Sequence, residues 1–275
     1  MPWPSPARHG MQSSMKITTW NINGVKARLE SALAYLKDQQ PDVICFQEIK
    51  SIDEGFPREM FEELGYNVAT YGQKGFNGVA ILSKAPLEDV QRGLHGDETD
   101  THARWIEANV RAPSGRMIRV VSIYLPNGNP IETEKFTYKL AWMARFKARA
   151  RELLAEEMPL VLAGDYNVIP DPVDCKRPEA WVNDALFQPQ TRNAYHALLG
   201  LGLTDAVRTG HPEPGVYTFW DYQAGAFQKN DGIRIDHILL SPQAADLLRA
   251  SGIDTFTRGW EKPSDHVPVW VELDV

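Results

Sequence analysis

The segment Leu160–Val168, which reads LVLAGDYNV, determines the fold that we predict for this chain. Its first four residues are apolar and include the β-branched Val161, a composition typical of a buried strand. Gly164 ends the run, and Asp165 and Asn167 follow directly. A strand with this end holds a carboxylate and a carboxamide on a rigid base, which suits metal-assisted hydrolysis of a phosphate ester. By itself such a segment is more often an ordinary Asx-type turn, so its interpretation depends on the rest of the chain.

The composition is that of an ordinary globular protein. The chain has 275 residues, of which 43% are hydrophobic and 24% are charged, and its length fits one large two-layer sandwich. No apolar run approaches the ~18 residues of a membrane span, so we expect no membrane association. The two cysteines provide no disulfide framework, which fits a reducing compartment such as the cytoplasm. The net charge of −7 argues against a general polyanion binder but allows a local basic groove.

The first fourteen residues have proline at positions 2, 4 and 6, show no periodicity and lack the apolar core of a secretory signal. We interpret residues 1–14 as a disordered extension and residues 15–275 as a single domain. Beyond Met15, strand-like and helical segments alternate, and some consecutive strands have no helix between them. This order predicts an α/β protein in which two mixed β-sheets pack together with helices on the outside.

Periodicity predicts the positions of the individual elements. We expect strands at 16–20, 42–47, 78–83, 104–111, 117–125, 160–163, 216–220, 233–241 and 267–273. We expect helices between Val25 and Pro41, from Pro57 to Gly65, and at 132–157, 191–199 and 242–250. Polar and apolar residues alternate along 104–111, which predicts a strand with one buried and one exposed face.

Six separate segments place polar side chains close to a strand end. These side chains are Asn21, Glu48, Tyr124, Asp165 with Asn167, Asp236, and Asp265 with His266. Each of them alone has an ordinary explanation, such as a solvated strand end or a turn. Together they indicate a functional site that is built from strand ends across a sheet.

The same segments resemble the signature motifs of the exonuclease III family, the bacterial branch of the metal-dependent abasic-site endonucleases. The motifs are TWNING at 19–24, FQE at 46–48, GDYNV at 164–168, RIDH at 234–237 and PSDHVPV at 263–269. The resemblance extends from about Met15 to the end of the chain, in the order and spacing of the family. It implies a four-layer α/β sandwich of the DNase I-like type, the endonuclease/exonuclease/phosphatase fold.

The resemblance also implies a metal site. Glu48 would be the principal ligand of Mg²⁺, with Mn²⁺ as an alternative ion. The other members of the implied metal set are Asn21, Asp165, Asn167 and Asp265. Oxygen ligands suit a hard cation, and the sequence offers no cluster of cysteine and histidine for zinc.

The catalytic roles follow from the same resemblance. Asp165 matches the residue that activates the attacking water, and Asn167 matches a hydrogen-bond donor in the transition state. His266 would contact the phosphate and would be oriented by Asp236, because a carboxylate behind an imidazole fixes its tautomer and favours its protonated form. Tyr124 matches a tyrosine that faces the phosphate.

Four further residues are candidates for binding DNA. Arg104 matches a DNA-contacting arginine, although an arginine on a strand is as often a surface salt-bridge residue. Phe219 and Trp220 match an aromatic turn that packs on a flipped-out abasic sugar, with Ile233 nearby. Extrahelical binding of this kind needs an apolar pocket too small for a base. The alternative is that the two adjacent aromatic residues are the core and rim of a strand.

The long predicted helix carries Lys135 and Lys139 one turn apart. Such a pair can contact a DNA backbone, but more often it only keeps a helix soluble. Because the overall charge is acidic, we expect a modest affinity for DNA that falls as the salt concentration rises.

Three functions compete at this point. The leading one is a monomeric DNA repair nuclease acting on double-stranded DNA with abasic sites or blocked 3′ ends. It would cleave 5′ to abasic sites and would also have 3′→5′ exonuclease and 3′-phosphatase activities. A second is a phosphatase or phosphodiesterase of the same fold on a non-DNA substrate, which Arg104 and the aromatic turn disfavour. A third is an inactive nucleic-acid-binding regulator, which the presence of Glu48, Asp165 and His266 disfavours.

Overall fold

Two six-stranded β-sheets pack face to face in the computed structural model, which describes residues 13–275. From edge to edge, the first sheet contains β11 (Leu248–Ile253), β12 (Val269–Asp274), β1 (Ser14–Asn21), β2 (Val43–Gln47), β4 (Val79–Ser83) and β3 (Asn67–Tyr71). The second contains β5 (Leu87–Arg92), β6 (Trp105–Arg111), β7 (Met117–Tyr124), β8 (Leu160–Asp165), β10 (Asp236–Leu240) and β9 (Thr204–Asp205). The pairs β1–β2 and β7–β8 are parallel, and the other neighbours are antiparallel.

Helices cover the outer faces of both sheets. The α-helices of the described residues are α1 (Leu29–Gln39), α2 (Arg58–Glu62), α3 (Glu134–Leu154), α4 (Pro189–Leu199), α5 (Ala206–Gly210) and α6 (Pro242–Ala245). Helices α1 and α2 pack on the first sheet, and α3 and α4 pack on the second. The resulting order of layers is helix, sheet, sheet, helix, which confirms the predicted four-layer sandwich. None of the helices within residues 13–275 combines the length and the apolar composition that a membrane-spanning helix needs.

The main core lies between the two sheets. Ile17 and Val43 of the first sheet pack with Val120, Val161 and Ile238 of the second, and all five are fully buried. Full burial of such a side chain contributes roughly 1.5–3 kcal/mol. Because each sheet is covered on both faces, inner strands such as β2, β4 and β8 are almost continuously apolar up to their polar ends.

Most of the predicted elements are present to within a few residues, but two predicted elements are wrong and several short elements were not predicted. The segment 216–220 is not a strand; only isolated bridges join Phe219 to Ile233 and His266. The predicted helix 242–250 ends at Ala245, and the chain then forms β11 because it pairs along β12. Strands β3 and β5 were not predicted. Strand β1 begins at Ser14, and residues 1–12 of the predicted extension lie outside the described residues.

Strand β6 is buried on both faces, so the predicted exposed face is wrong. Helix α3 covers the face that carries Glu107, and this carboxylate is fully buried. Arg119 Nε lies 3.2 Å from Glu107 Oε2, and Arg149 Nη2 of α3 lies 2.8 Å from Glu107 Oε1. The charge of Glu107 is therefore paired inside the protein, where an unpaired carboxylate would be strongly unfavourable.

A second buried ionic network lies beneath β10. Arg234 Nε donates to Asp174 Oδ1 at 2.7 Å, and Arg234 Nη1 donates to Asp205 Oδ2 at 2.8 Å. The same Nη1 lies 3.1 Å from His237 Nδ1, which accepts, while His237 Nε2 donates to the carbonyl of Val168 at 2.9 Å. The network fixes the backbone on both sides of Asp236 and keeps His237 as a neutral imidazole.

Replacing His237 with Asn should make the stability less sensitive to mild acid. Burial, reinforced by the charge of Arg234, lowers the pKa of His237 from 6.5 to about 4. The unfolded chain therefore takes up a proton first, and the stability that depends on neutral His237 is lost as the pH falls below 6.5. Between pH 7 and pH 5, urea unfolding should show His237→Asn losing about 2 kcal/mol less than the wild type.

The exposed His95 provides the control. His95→Asn should show the same acid sensitivity as the wild-type protein. Equal losses of stability in His237→Asn and the wild type would contradict the assignment of a neutral buried imidazole.

Candidate active site

Polar side chains at the carboxyl ends of strands from both sheets meet at one edge of the sandwich. Asn21, at the end of β1, lies between them and is fully buried. Its Nδ2 donates to Glu48 Oε1, after β2, and to Asp165 Oδ2, at the end of β8, both at 2.9 Å. Its Oδ1 accepts the backbone N–H of Asn23 at 3.0 Å. One carboxamide therefore joins a carboxylate of the first sheet to a carboxylate of the second.

Asp165 is the most enclosed carboxylate of the site, with 1% exposure. Besides the bond from Asn21, its Oδ1 accepts the backbone N–H of Asn167 at 2.9 Å. Burial raises the pKa of Asp165 to about 7, because the positive charge of His266 and the bond from Asn21 only partly offset it. A carboxyl with a pKa near 7 is well suited to take up and release a proton at neutral pH.

His266 lies between two carboxylates. Its Nδ1–H donates to Asp236 Oδ2 at 2.8 Å, and its Nε2 lies 3.6 Å from Asp165 Oδ2. Asp236 and Asp165 are direct partners in the pairing of β10 with β8, which explains why one ring reaches both. Burial alone would lower the pKa of His266, but the charges of Asp236 and Asp165 outweigh it and raise the pKa well above its usual value. The ring is therefore held as a cation.

Tyr124 and Asn167 complete the polar edge. Tyr124 is the direct neighbour of Asp165 in the parallel pair β7–β8. Burial, followed by the charges of Glu48 and Asp165, raises the pKa of Tyr124 well above 10, so its hydroxyl keeps its proton. Asn167 Nδ2 donates to the carbonyl of Leu125 at 2.8 Å, which leaves one amide N–H for another acceptor.

The carboxylates of Glu48 and Asp165 fit a hard divalent cation. One ligand atom each of Glu48, Asp165 and His266 lie within 4.8 Å of one another. The imidazole is a poor third ligand, because its Nδ1 is bonded to Asp236 and its charged form has no free lone pair. The two oxygen donors therefore favour a cation such as Mg²⁺ over zinc.

The other members of the predicted ligand set make contacts of their own, and their part in metal binding stays a prediction. Asn21 turns its nitrogen towards the carboxylates, and its oxygen accepts from Asn23. Asn167 donates an N–H to the carbonyl of Leu125, and its backbone carbonyl accepts from Lys139. Asp265 is bound instead by Asn23 Nδ2, at 3.2 Å from its Oδ1, and does not join the group of three.

Arg104 lies beside the polar edge. Its guanidinium is 4.9 Å from the ring centre of Tyr124 and 5.9 Å from that of Tyr138, and its Nη1 donates to the carbonyl of Tyr124 at 3.3 Å. This carbonyl uses one of the five N–H groups of the guanidinium, and the Nε is buried. The remaining N–H groups of the stacked guanidinium are donors of the kind that bind an anionic group such as a phosphate.

The two predicted aromatic residues separate in the structure. Phe219 contacts the ring of His266 edge-on, with the ring centres 5.1 Å apart, and lines a pocket of about 450 Å³ together with Ile233 and Trp181. Trp220 is only 2% exposed, and its Nε1 donates to Asn230 Oδ1 at 3.0 Å. The prediction that Trp220 stacks on the substrate is therefore wrong, because this ring is part of a small core.

Sequence reasoning missed two residues of this region. Trp181 lies in a proline-rich segment without periodicity, and an isolated large aromatic residue in such a loop was the only signal. Lys139 was expected at the surface, but it is fully buried. Burial lowers the pKa of Lys139 to about 7, and its Nζ donates to the backbone carbonyls of Asn127 and Asn167.

Comparison with known proteins agrees with this geometry. The model of the endonuclease/exonuclease/phosphatase family matches residues 18–266. Exodeoxyribonuclease III of Haemophilus influenzae is 36% identical over 270 residues, which cover 94% of this chain and all of the relative. The exodeoxyribonuclease of Bacillus subtilis is 32% identical over 95% of this chain and all of its own length.

Two solved structures have the same fold. An AP endonuclease from Archaeoglobus fulgidus superposes with a TM-score of 0.89 at 37% identity. The 3′ phosphatase NExo from Neisseria, bound to a product DNA hairpin, superposes with a TM-score of 0.91 at 40% identity. In both cases 95% of this chain and all of the other chain are covered. This chain therefore belongs to the endonuclease/exonuclease/phosphatase family and, within it, to the exonuclease III group of metal-dependent nucleases.

Proposed function

We propose that this protein is a Mg²⁺-dependent DNA repair nuclease that hydrolyses the phosphodiester 5′ to abasic sites. We further propose that it trims 3′ ends as an exonuclease and a 3′ phosphatase. The observation that carries the proposal is the group of Glu48 and Asp165, joined by Asn21, beside the Asp236–His266 pair. The relatives named exodeoxyribonuclease III and AP endonuclease support the choice of substrate.

Glu48 and Asp165 are the residues that would hold the cation. When bound, a divalent cation supplies positive charge that offsets the developing charge on the phosphate. Mg²⁺ is the ion that two carboxylates and no free imidazole suit best, and Mn²⁺ is the alternative.

The chain's own residues supply the remaining chemistry. Asp165 accepts the proton of the attacking water, for which its raised pKa is suited. Cationic His266, held by Asp236, donates from Nε2 to a phosphate oxygen. Asn167 and Tyr124 offer further donors to the charge that develops in the transition state. Arg104 binds a neighbouring phosphate through guanidinium N–H groups that the carbonyl of Tyr124 does not use.

The pocket lined by Phe219, Trp181 and Ile233 supports a sugar-phosphate end or an extruded abasic sugar as the bound group. These three side chains form the apolar part of a pocket that also contains Arg177, Asp184 and Asp231. A soluble phosphomonoester gains little from the apolar part, which disfavours the non-DNA alternative. The site is complete within one chain, so we propose that the enzyme acts as a monomer. Two free buried cysteines, Cys45 and Cys175, fit our expectation of a cytoplasmic protein.

The decisive experiment compares three DNA duplexes in the presence and absence of Mg²⁺. One carries an internal abasic analogue, one carries a 3′ phosphate, and one is undamaged with a recessed 3′ end. The proposal expects metal-dependent cleavage of all three. Removal of the 3′ phosphate without incision at the abasic analogue would restrict the function to 3′-end processing, as in the name of the Neisseria relative.

Replacing Glu48 with Gln should abolish cleavage without unfolding the protein. The carboxylate lies at a strand end with 20% side-chain exposure, so its charge serves the site rather than the core. We expect kcat/KM on the abasic duplex to fall at least about a hundredfold, together with a loss of Mg²⁺ binding in calorimetry. Glu63→Gln, at an exposed position, is the control. Near-wild-type turnover by folded Glu48→Gln would refute the assignment.

Replacing Trp181 with Ala tests the substrate. Contact with an aromatic ring contributes ~1–3 kcal/mol in nucleic-acid sites, so incision at the abasic analogue should weaken roughly ten- to a hundredfold. Hydrolysis of bis(p-nitrophenyl) phosphate, which is too small to need the pocket, should change little. The neighbouring exposed Val182 provides the control variant Val182→Ala. Equal losses on both substrates would show that Trp181 supports the fold, and no loss on DNA would remove the pocket from the proposal.

A further inference from the structure

Lys139 is the one lysine of α3 with no exposure at all. Lysine is almost never fully buried unless it is paired, because its charged form loses its hydration. Among the described residues, no carboxylate lies within ion-pair distance of Lys139; the bonds of its Nζ go to two backbone carbonyls. Because burying this amino group costs its hydration, its presence in the interior indicates a specific structural or functional role.

The two carbonyls belong to the loops that carry the site. Lys139 Nζ donates to the carbonyl of Asn127 at 3.0 Å and to that of Asn167 at 2.5 Å. The first loop follows Tyr124 at the end of β7, and the second follows Asp165 at the end of β8. Lys139 therefore ties together two loops that start from adjacent strands.

Gly128 leaves space for the Lys139 side chain along its way to Asn167. Lys139 passes under Gly128, where an added Cβ would lie only 2.6 Å from Lys139 Cδ. Gly128 also has a φ of +87°, a conformation that other residues resist. The absence of a side chain at Gly128 leaves room for Lys139 to reach Asn167.

Hydrogen bonds fix the turn at Asn167. Asn167 has a φ of +47°, in the left-handed region that asparagine tolerates better than most residues with a side chain. Three bonds hold it there: its N–H to Asp165, its Nδ2 to Leu125, and its carbonyl to Lys139. The bond from Lys139 is the one that comes from outside the two strand ends, so it fixes the turn against the helical layer.

We propose that Lys139 is a positioning residue for the reaction, which acts by holding Asn167 in the orientation that presents its second amide N–H to the phosphate. This inference rests on the proposed nuclease function. It requires N–H donors at Nζ, and both the ammonium and the neutral amine provide them. The role is therefore one of geometry and does not depend on the charge state of Lys139.

A double-mutant cycle of Lys139→Met and Asn167→Ala tests the inference. A misplaced catalytic group costs up to about a hundredfold in rate, so Lys139→Met should lower kcat on the abasic duplex about ten- to a hundredfold while KM stays within about threefold. In the Asn167→Ala background, the same change should alter kcat by less than about threefold, because residues that act through one another are not additive. Lys147→Met, on the same helix and outside the site, should leave kcat unchanged.

Additive losses of kcat in the double mutant, or an unchanged kcat in folded Lys139→Met, would overturn the role of Lys139. If Lys139→Met does not fold, Lys139→Gln takes its place in the cycle with the same expectations, because its polar side chain is one bond shorter and withdraws the donor from the two carbonyls. The wild-type protein is assayed first on the abasic duplex and on the 3′-phosphate duplex. Failure to cleave either would overturn the proposed function and this inference with it, whereas cleavage with additive losses overturns only the inference.

Discussion

The burial of the Asp165 carboxylate is the constraint on which the rest of the site depends. A carboxylate withdrawn from water must find its donors inside the protein, and Asp165 finds one in each sheet. The backbone N–H of Asn167 comes from its own strand end, and the carboxamide of Asn21 comes from the opposite sheet. The carboxyl ends of β1 and β8, which belong to different sheets, lie at the same edge of the sandwich and make this arrangement possible.

The same constraint explains why so many polar groups lie beneath the site. His266 has to reach Asp165 and Asp236 at once, and the ionic network of Arg234 fixes the backbone around Asp236 from below. Buried ionic groups add little net stability, but they specify one arrangement when all their partners are satisfied. Buried polar interactions are therefore concentrated at the end of the sandwich that carries the active-site side chains, whereas apolar packing dominates the rest of the core.

The sequence was sufficient for the architecture and for the identity of the polar strand ends. Buried strands such as β2 and β8 are nearly continuous apolar runs. The motifs at the strand ends are specific in type and order, so Glu48, Asp165 and His266 could be named in advance. The direction in which each side chain points could not be predicted in the same way. Adjacent aromatic residues such as Phe219 and Trp220 look alike in a sequence, and only the packed loop decides which ring lines the pocket and which is core.

The sequence also did not predict which side chains are buried by an element that lies far away in the chain. Nothing local distinguishes the buried Lys139 from an exposed lysine one turn earlier, and Glu107 looked solvent-facing because its cover, helix α3, comes later in the chain. The same holds for β11, whose alanine-containing sequence favours a helix until β12 is available to pair with it. Local propensity fails where tertiary contacts provide the partner.

The position of β12 has a consequence for how the active site is completed. This strand follows every other described strand in the sequence, yet it lies inside the first sheet between β11 and β1. His266 precedes its first residue by only three positions, so the imidazole reaches Asp165 and Asp236 when β12 takes its place in the sheet. A truncation before His266 therefore removes an inner strand and the cationic side chain of the site together. Closure of the first sheet and completion of the active site are in this way a single event in folding.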